Sequence, residues 1–406
     1  MLRALYQSPA LRAAVGFGFG GIAFTVGNLI LARVMSAYEY GVLSLLVGIL
    51  AVAALCAPLG LDYVLARRGY PMGASLRRIA LGAAAVVGLI TALVTGTLYR
   101  LAPPLLIAAF LTTVGTGVAQ SVAAHFQGQR QFSLALPFTQ LSSWSLLGVG
   151  ALAWILTVTT ATLPMVLIAA AALAAGAIGW RMVAARTRGI DPKLAVTTLL
   201  SEAISLMTIN VAGAVLLQLE RLIIPMTIGV EKVALFGVAA SLVGSPFRML
   251  YSAVHFTVIP RLRDAKTLAE RRRLLRREVM LFTVVMLPTS LGLWLLAGPI
   301  AHWFLRGRYD LTDAIIAAMI VSGILKLMSA FGTAIVSALA PERGLWLLST
   351  SSWICIALSI GAAFLLRSWG VTGAIYAVSI GWFGRTLAAL WIAVPHLQQP
   401  PEAVAQ

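Results

Sequence analysis

The sequence predicts an all-α integral membrane protein, with twelve transmembrane helices in two six-helix lobes and a central cavity between the lobes. Three observations carry this prediction. Of the 406 residues, 60% are hydrophobic and 11% charged, with a mean hydropathy of +0.94, whereas a soluble domain carries roughly 25% charged residues. Apolar runs of about twenty residues, enough to cross roughly 30 Å of hydrocarbon as a helix, recur along the whole chain. The basic residues also sit unevenly in alternate loops.

The first run, Ala13 to Met35, follows Arg3 and Arg12 and exceeds the core of a cleaved signal peptide, so it predicts a retained helix. Gly41 to Ala66, Ile79 to Tyr99, Pro103 to His125, Leu134 to Thr157 and Leu163 to Ala185 complete a first lobe over residues 1–190. The second lobe, 191–406, holds Leu199 to Pro225, Val233 to Val258, Val279 to Phe304, Asp313 to Ala338, Leu345 to Leu366 and Val371 to Pro395. The loops between the runs are too short for a soluble domain.

A net charge of +17 raises the question of nucleic acid, and the placement of the cations answers it. With the amino terminus inside, the termini and the loops after even-numbered spans hold twenty of the thirty Lys and Arg residues, and the opposite loops hold six. This is the positive-inside asymmetry, and it predicts that both termini are cytoplasmic. The run "RRRLLRREV" from Arg271 to Val279 then reads as a topology anchor against anionic membrane lipids. No nucleic-acid partner is expected.

Cys56 and Cys355 both fall inside spans and are too few for a disulfide framework or a thiolate metal site. His125, His255, His302 and His396 lack the i, i+4 pairing of a zinc motif. "GFGFGG" from Gly16 to Gly21 lies within a span, where it suits close helix contact or a bending point rather than a nucleotide. No metal, cofactor or enzymatic site is expected.

Polar residues inside the spans carry the functional signal, because a charge at mid-bilayer costs on the order of 3 kcal/mol and usually faces a protein interior. In the eighth span Ser241, Ser245, Arg248, Ser252 and His255 follow spacings of four, three, four and three, which places them on one helical face. The tenth repeats this with Ser322, Lys326, Ser329, Thr333 and Ser337, Lys326 lying near the span's centre. In the seventh, Asn210 and Arg221 share a face, flanked by Gln218 and Glu220. Glu220 and Arg221 point about 100° apart, so Arg221 is expected to face a water-filled vestibule while Glu220 ties to a neighbouring helix.

The first span offers Gly21, Thr25, Asn28 and Ala32 ending beside Arg33, the fourth offers Thr113, Thr116, Gln120 and Gln127, and the last carries Arg385 with Gly381 on its face. Each has a plainer alternative: Ser and Thr stripes serve helix packing, Arg33 and Arg221 lie near span ends and can snorkel, and Arg385 can be an interhelical tie. Asp62 can pair with Arg67 or Arg68 at a helix end. The mid-membrane cations favour an anionic substrate over a cationic drug, which needs a central carboxylate.

The two halves carry a faint repeat. A shift of 193 residues lays "NLILARVMSAYEYGVLSL" from Asn28 over "RLIIPMTIGVEKVALFGV" from Arg221, as a six-plus-six duplication leaves behind. "NLILARVMSAYEYGVLSLL" and "APLGLDYVLARRG", with "HFQGQRQF", "LERLIIPMTIGVEKVALFGVAASL" and "GVTGAIYA", resemble the polysaccharide and O-antigen flippases of the multidrug/oligosaccharidyl-lipid/polysaccharide (MOP) exporter superfamily. That family commonly has Asp-Arg where this chain has Glu220 and Arg221.

The resemblance implies a MATE/MOP-like fold that moves an undecaprenyl-pyrophosphate-linked oligosaccharide across the bacterial inner membrane by alternating access. Carried onto this sequence, it places Arg221, and Asn28 as its partner in the duplication, at the substrate. Arg248 and Lys326 are nominated from periodicity, and Arg33, Gln218, His255 and Arg385 complete the candidate set. Glu220 and Asp62 are candidates for proton or sodium coupling, the alternative being export driven by the membrane potential. The implied partners are the lipid-linked glycan, membrane lipids and a polysaccharide polymerase with other assembly proteins, whose identity the sequence does not specify.

Three rivals are weighed. A multidrug cation antiporter of the same superfamily shares the fold but relies on acids in the amino-terminal lobe, where the spans offer only Asp62. A major-facilitator transporter needs a Gly-x-x-x-Asp-Arg-x-Gly-Arg pattern that Asp62 and Arg67 do not fit. A membrane glycosyltransferase needs a catalytic surface that the short loops cannot hold.

Overall fold

A computed structural model describes residues 9–190, 196–265 and 267–398. Over these residues the chain is a succession of helices joined by short turns: α1 (Pro9–Val34), α2 (Ala37–Cys56), α3 (Leu61–Arg68), α4 (Ala74–Tyr99), α5 (Pro103–Gly128), α6 (Phe132–Thr139), α7 (Leu141–Ile155) and α8 (Thr162–Arg186). There follow α9 (Val196–Thr227), α10 (Val230–Ala239), α11 (Ser245–Asp264), α12 (Leu268–Leu305), α13 (Asp313–Leu339), α14 (Glu342–Leu365) and α15 (Gly370–Gln398). Among the described residues, ten helical stretches are long and apolar enough to cross a membrane, α10 and α11 counting as one. Gly18–Val34 and Leu141–Ile155 are shorter apolar helices within the other two predicted spans. The chain is a multi-pass membrane protein.

Two predicted spans are broken where the sequence contains prolines. The run Gly41 to Ala66 ends as a helix at Cys56; Pro58 follows, Leu59 and Gly60 take positive φ of 50° and 79°, and α3 restarts at Leu61. Gly60 also packs so closely on the carbonyl of Ala203 that a Cβ has no room. The run Leu134 to Thr157 divides into α6 and α7, with Pro137 inside α6 unable to donate its share of the helical ladder.

The eighth predicted span is continuous but locally rewound. Residues Ala240–Gly244 form a π turn between α10 and α11. Pro246, at the start of α11, lacks the N–H that the carbonyl of Leu242 would receive in an α-helix, and such turns accommodate one extra residue where the ladder is interrupted.

The chain divides into two compact units, Met1–Ala214 and Val215–Gln406. In the first, glycines let helices cross closely. A Cβ at Gly27 would lie 2.7 Å from the backbone of Leu146 on α7, and one at Gly115 on α5 2.5 Å from that of Ala172 on α8. Gly20, in the glycine-rich stretch, lies against the side chain of Gln140, which is the close-contact role expected of that stretch. In the second unit, α13 packs on α11 and α15 through Leu327, Ala330, Val254, Val258 and Ala389.

Helix α12 has 38 residues, about 57 Å at 1.5 Å per residue, and so outruns the hydrocarbon. Its basic first turns are built as a helix start: Thr267 and Glu270 form a reciprocal cap, and Glu278 accepts from Arg261 at 2.6 Å.

Candidate functional site

Subtracting the cations counted with the loops and termini, Arg33 and Arg181 at span ends among them, leaves four basic residues inside the predicted spans: Arg221, Arg248, Lys326 and Arg385. All four belong to the second unit, on α9, α11, α13 and α15. Three of them line one cavity. It holds about 60 Å³, room for several waters on the measure by which one water needs about 10–15 Å³. Its polar wall is Gln218, Arg221, Arg248 and Lys326, and its apolar wall includes Phe236, Phe247, Tyr251 and Met319.

Each cation is held differently. Arg221 is 3% exposed; it donates from Nη1 to Oε1 of Gln218 at 2.9 Å and lies 6.0 Å over the ring of Phe236. The aromatic face stabilises a buried guanidinium without neutralising it. Arg248 donates from Nη2 to Oγ of Ser245 at 3.2 Å, one turn back on α11. Lys326 donates to Oε1 of Glu220 at 2.6 Å. Glu220 is 1% exposed; Ser322 approaches the same Oε1 at 3.5 Å, and Oε2 accepts no hydrogen bond from the protein.

Trp382 on α15 links the fourth cation to the others. The Lys326 ammonium lies 5.9 Å from its ring centroid and the Arg385 guanidinium 5.4 Å, while Tyr251 meets the ring edge-on at 6.3 Å. Arg385 is 6% exposed, and its Nε and Nη1 have no hydrogen-bond partner. Three positive groups therefore line one cavity, and Trp382 links a fourth to them. Such an arrangement is suited to an anion, since charges in low-dielectric surroundings act more strongly than in water.

The local sequence explains the shape. Gly323 has no room for a Cβ, which would run into the ring of Phe247, so α13 and α11 close up just where Lys326 and Arg248 face the cavity. Ala240, Gly244, Arg248 and Tyr251 line the cavity, not the expected row of Ser241, Ser245, Arg248 and Ser252. Ser241 is fully buried with its hydroxyl on the carbonyl of Gly237, and Ser252 is exposed. Arg248 belongs to both rows, and the cavity meets the residues one position before each serine, about 100° round the helix. On α13, Ser322, Ser329 and Thr333 are buried packing residues, and only Lys326 of that stripe lines the cavity.

The other expected residues lie elsewhere. Asn28 is 2% exposed in the first unit, its amide donating to the carbonyl of Phe24 at 2.9 Å and its Oδ1 reached by the Tyr40 hydroxyl at 3.5 Å. Arg33 lies over the ring of Trp154 on α7 at 4.7 Å. Asp62 sits in the first turn of α3, where a carboxylate faces unsatisfied N–H groups. The expected partner Arg68 is taken by Glu202 at 2.6 Å. Asn210 is exposed and donates to the carbonyl of Leu206. The side chain of His255 lies outside the described residues.

The motif around Glu39 is structural. Ser36 caps α2 by accepting from the N–H of Glu39, and the Glu39 carboxylate accepts from the N–H of Ala161 at the start of α8, at 2.7 Å. Phe236, Tyr251 and Trp382 escape sequence reasoning, since an apolar span carries aromatics for packing as readily as for holding cations.

The family described as "Polysaccharide biosynthesis protein" matches residues 30–312, most of the chain and including Glu220 and Arg221. The chain belongs to this family. No curated protein matches it by sequence. Among solved structures it is similar to an inward-facing multidrug resistance MATE family transporter of the MOP superfamily, with 14% identity, a TM-score of 0.64 and 95% of each chain covered. It is also similar to a mutant Vibrio cholerae MATE transporter, with 15% identity, a TM-score of 0.59 and 96% of each chain covered. A MOP superfamily transporter from Pyrococcus furiosus, described as having a binding pocket of reverse polarity that suggests a different function, matches with 14% identity and a TM-score of 0.59, over 98% of this chain and 96% of that one. This member of the polysaccharide biosynthesis family has the fold of the MATE and MOP transporters.

Proposed function

We propose that the chain is an exporter that moves an oligosaccharide linked to undecaprenyl pyrophosphate across the bacterial inner membrane by alternating access, with both termini in the cytoplasm. The observation that carries this is the convergence of Arg221, Arg248 and Lys326 on one cavity whose lining includes no acidic residue, Glu220 meeting it through Lys326. A pyrophosphate presents the charge and acceptor oxygens that two guanidiniums and an ammonium satisfy. The lipid tail stays among the acyl chains and the glycan supplies the family's polysaccharide connection. The Pyrococcus furiosus protein, whose reversed pocket polarity is said to suggest a different function, supports reading pocket charge as a guide to cargo within this fold.

The inside-negative potential assists the proposed direction, since moving an anion outward gains roughly 2.3 kcal/mol per charge per 100 mV. Binding and release need a competitor for the cations, and Glu220 is placed for it. Its carboxylate holds Lys326 in the empty site and gives it up when phosphate oxygens arrive. A proton on Glu220 would release Lys326 in the same way.

A second reading, a multidrug cation antiporter of the same superfamily, draws on Glu220, whose Oε2 is unsatisfied. The three neighbouring cations repel such a cargo. The test is flipping of lipid-linked oligosaccharide in proteoliposomes by Arg221→Gln and Arg248→Gln. Losing one charge-assisted hydrogen bond to phosphate is worth about 1.5–3 kcal/mol, or about a ten- to hundredfold loss of affinity. Undiminished flipping by folded Arg248→Gln protein sinks the proposal, and drug efflux abolished by Glu220→Gln replaces it with the second reading.

A further inference from the structure

The first unit contains a cavity of its own, of about 250 Å³. It lies among α1, α2, α5, α7 and α8, and no residue lining it carries a formal charge. Its polar groups are Thr112, Thr116 and Gln120 on α5 with Ser142 and Ser145 on α7; Phe24 on α1 and leucines of α2 supply the apolar wall. The volume falls just below the roughly 300–1,000 Å³ of sites for drug-sized ligands, so it suits a moiety of about one ring.

The hydrogen bonding in this wall is one-sided. Thr112 spends its hydroxyl proton on the carbonyl of Ala108 at 2.7 Å, Thr116 on that of Thr112 at 2.7 Å, and Ser145 on that of Ser142 at 3.1 Å. Those oxygens are left with lone pairs only. The Gln120 amide, partly buried on the same face as Thr112 and Thr116, and the exposed Ser142 hydroxyl are the groups that both donate and accept. A ligand must therefore bring its own donors and no net charge. An anion finds too few donors, and a cation finds no carboxylate.

A molecule with several hydroxyls, an apolar face for Phe24 and no charge meets these conditions. We propose that the first unit's cavity is a binding site for a neutral pyranose, with Gln120 as its central ligand and Thr112, Thr116 and Ser145 accepting from the sugar hydroxyls. Its use in the cell, as the seat of one neutral sugar of the cargo, rests on the export reading; the binding itself does not.

The test uses the full chain in lipid nanodiscs, with Cys56→Ala and Cys355→Ala removing the native thiols and Ser142→Cys supplying a label site. Glucose or N-acetylglucosamine is expected to slow labelling by a water-soluble maleimide several-fold at this position, while glucuronate and pyrophosphate leave it unchanged. Gln120→Leu is expected to raise the half-protecting sugar concentration about tenfold, the equivalent of about 1.4 kcal/mol. The same protein labelled at an unchanged rate without sugar shows that the fold survives. Absence of protection at saturating sugar, equal protection by glucuronate, protection by decanol alone, or protection indifferent to Gln120→Leu would each overturn the proposal. Lost sugar protection with flipping intact removes this site and leaves the export reading standing; lost flipping with protection intact does the reverse.

Discussion

The cavities of the two units contrast in charge. The second unit's cavity is small and basic, walled by Arg221, Arg248 and Lys326 with Gln218. The first unit's is larger and uncharged, walled by Thr112, Thr116, Gln120, Ser142 and Ser145. Asn28 and Arg221, counterparts in the faint repeat, follow the same division. Asn28 is a neutral tie held by Tyr40, whereas Arg221 is a buried cation held by Gln218 and Phe236. Helical architecture thus leaves the two units free to diverge in chemistry: packing asks only for apolar surfaces and close glycines, and the few polar groups left facing space set the character of each cavity.

If charge is what distinguishes the second unit's cavity, removing the carboxylate that pairs with Lys326 is the most damaging change. Glu220→Ala leaves Lys326 without a counter-charge beside buried Arg221, and breaking one partner of a buried pair costs about 3–5 kcal/mol. Thermal unfolding of the purified protein in detergent measures this. The double change Glu220→Leu with Lys326→Met is expected to recover most of the loss, because apolar groups of similar size then fill the gap. A single variant as stable as the parent would mean that the 2.6 Å contact carries no energy and that the contrast between the units is one of composition only.

Next in size are the glycine crossings, which sharpen the comparison by probing rigidity. At Gly115 an added Cβ meets the backbone of Ala172, so α5 and α8 must separate; at Gly323 it meets Cγ of buried Phe247, which is relieved when that side chain swings about its Cα–Cβ bond. Overpacking costs typically about 1–3 kcal/mol. Gly115→Ala is expected near the upper end and Gly323→Ala near the lower, with Gly323→Ala also reducing anion binding as Phe247 swings into the cavity. Equal losses of stability, or unchanged pyrophosphate binding in Gly323→Ala, would count against Phe247 as the gate of that wall.

Much of this is legible in the sequence. Hydropathy locates the helical stretches, since roughly twenty apolar residues have few other uses, and the positive-inside count isolates Arg221, Arg248, Lys326 and Arg385 by subtraction. Glu220 ties to a neighbouring helix as its direction on α9 suggests, but its partner is not readable: Lys326 is 106 residues away, and nothing local marks the pair. On α11 the periodic serines single out Arg248 correctly, but the cavity meets the residues one position before each serine. In the first unit, Thr116 and Gln120 stand out, while Thr112, Ser142 and Ser145 join them only through the packing of α5 against α7 and α8. Spacing reports which residues share a helix face; which face meets space depends on the neighbours.

The capping residues of the family motif give a smaller effect, confined to the first unit. Ser36→Ala removes the acceptor for the N–H of Glu39 at the start of α2, a change worth typically about 1 kcal/mol. Because Ser36 lines neither cavity, sugar protection and pyrophosphate binding should both persist. If either were lost with the small drop in stability, the motif would have to be counted among the binding residues.

The smallest effect is expected at Arg68. Its pair with Glu202, at 2.6 Å, also lies in the first unit, but Arg68 is exposed, so water already solvates its charge and salt screens the attraction. Arg68→Gln should leave the unfolding midpoint unchanged within error at moderate ionic strength, where Glu220→Ala does not. This is the control for the whole comparison, since both variants remove one member of an ion pair of equal length and differ in burial. A drop as large as that of Glu220→Ala would show that the loss follows ion pairing as such, and the energetic distinction drawn for the second unit's cavity would not hold.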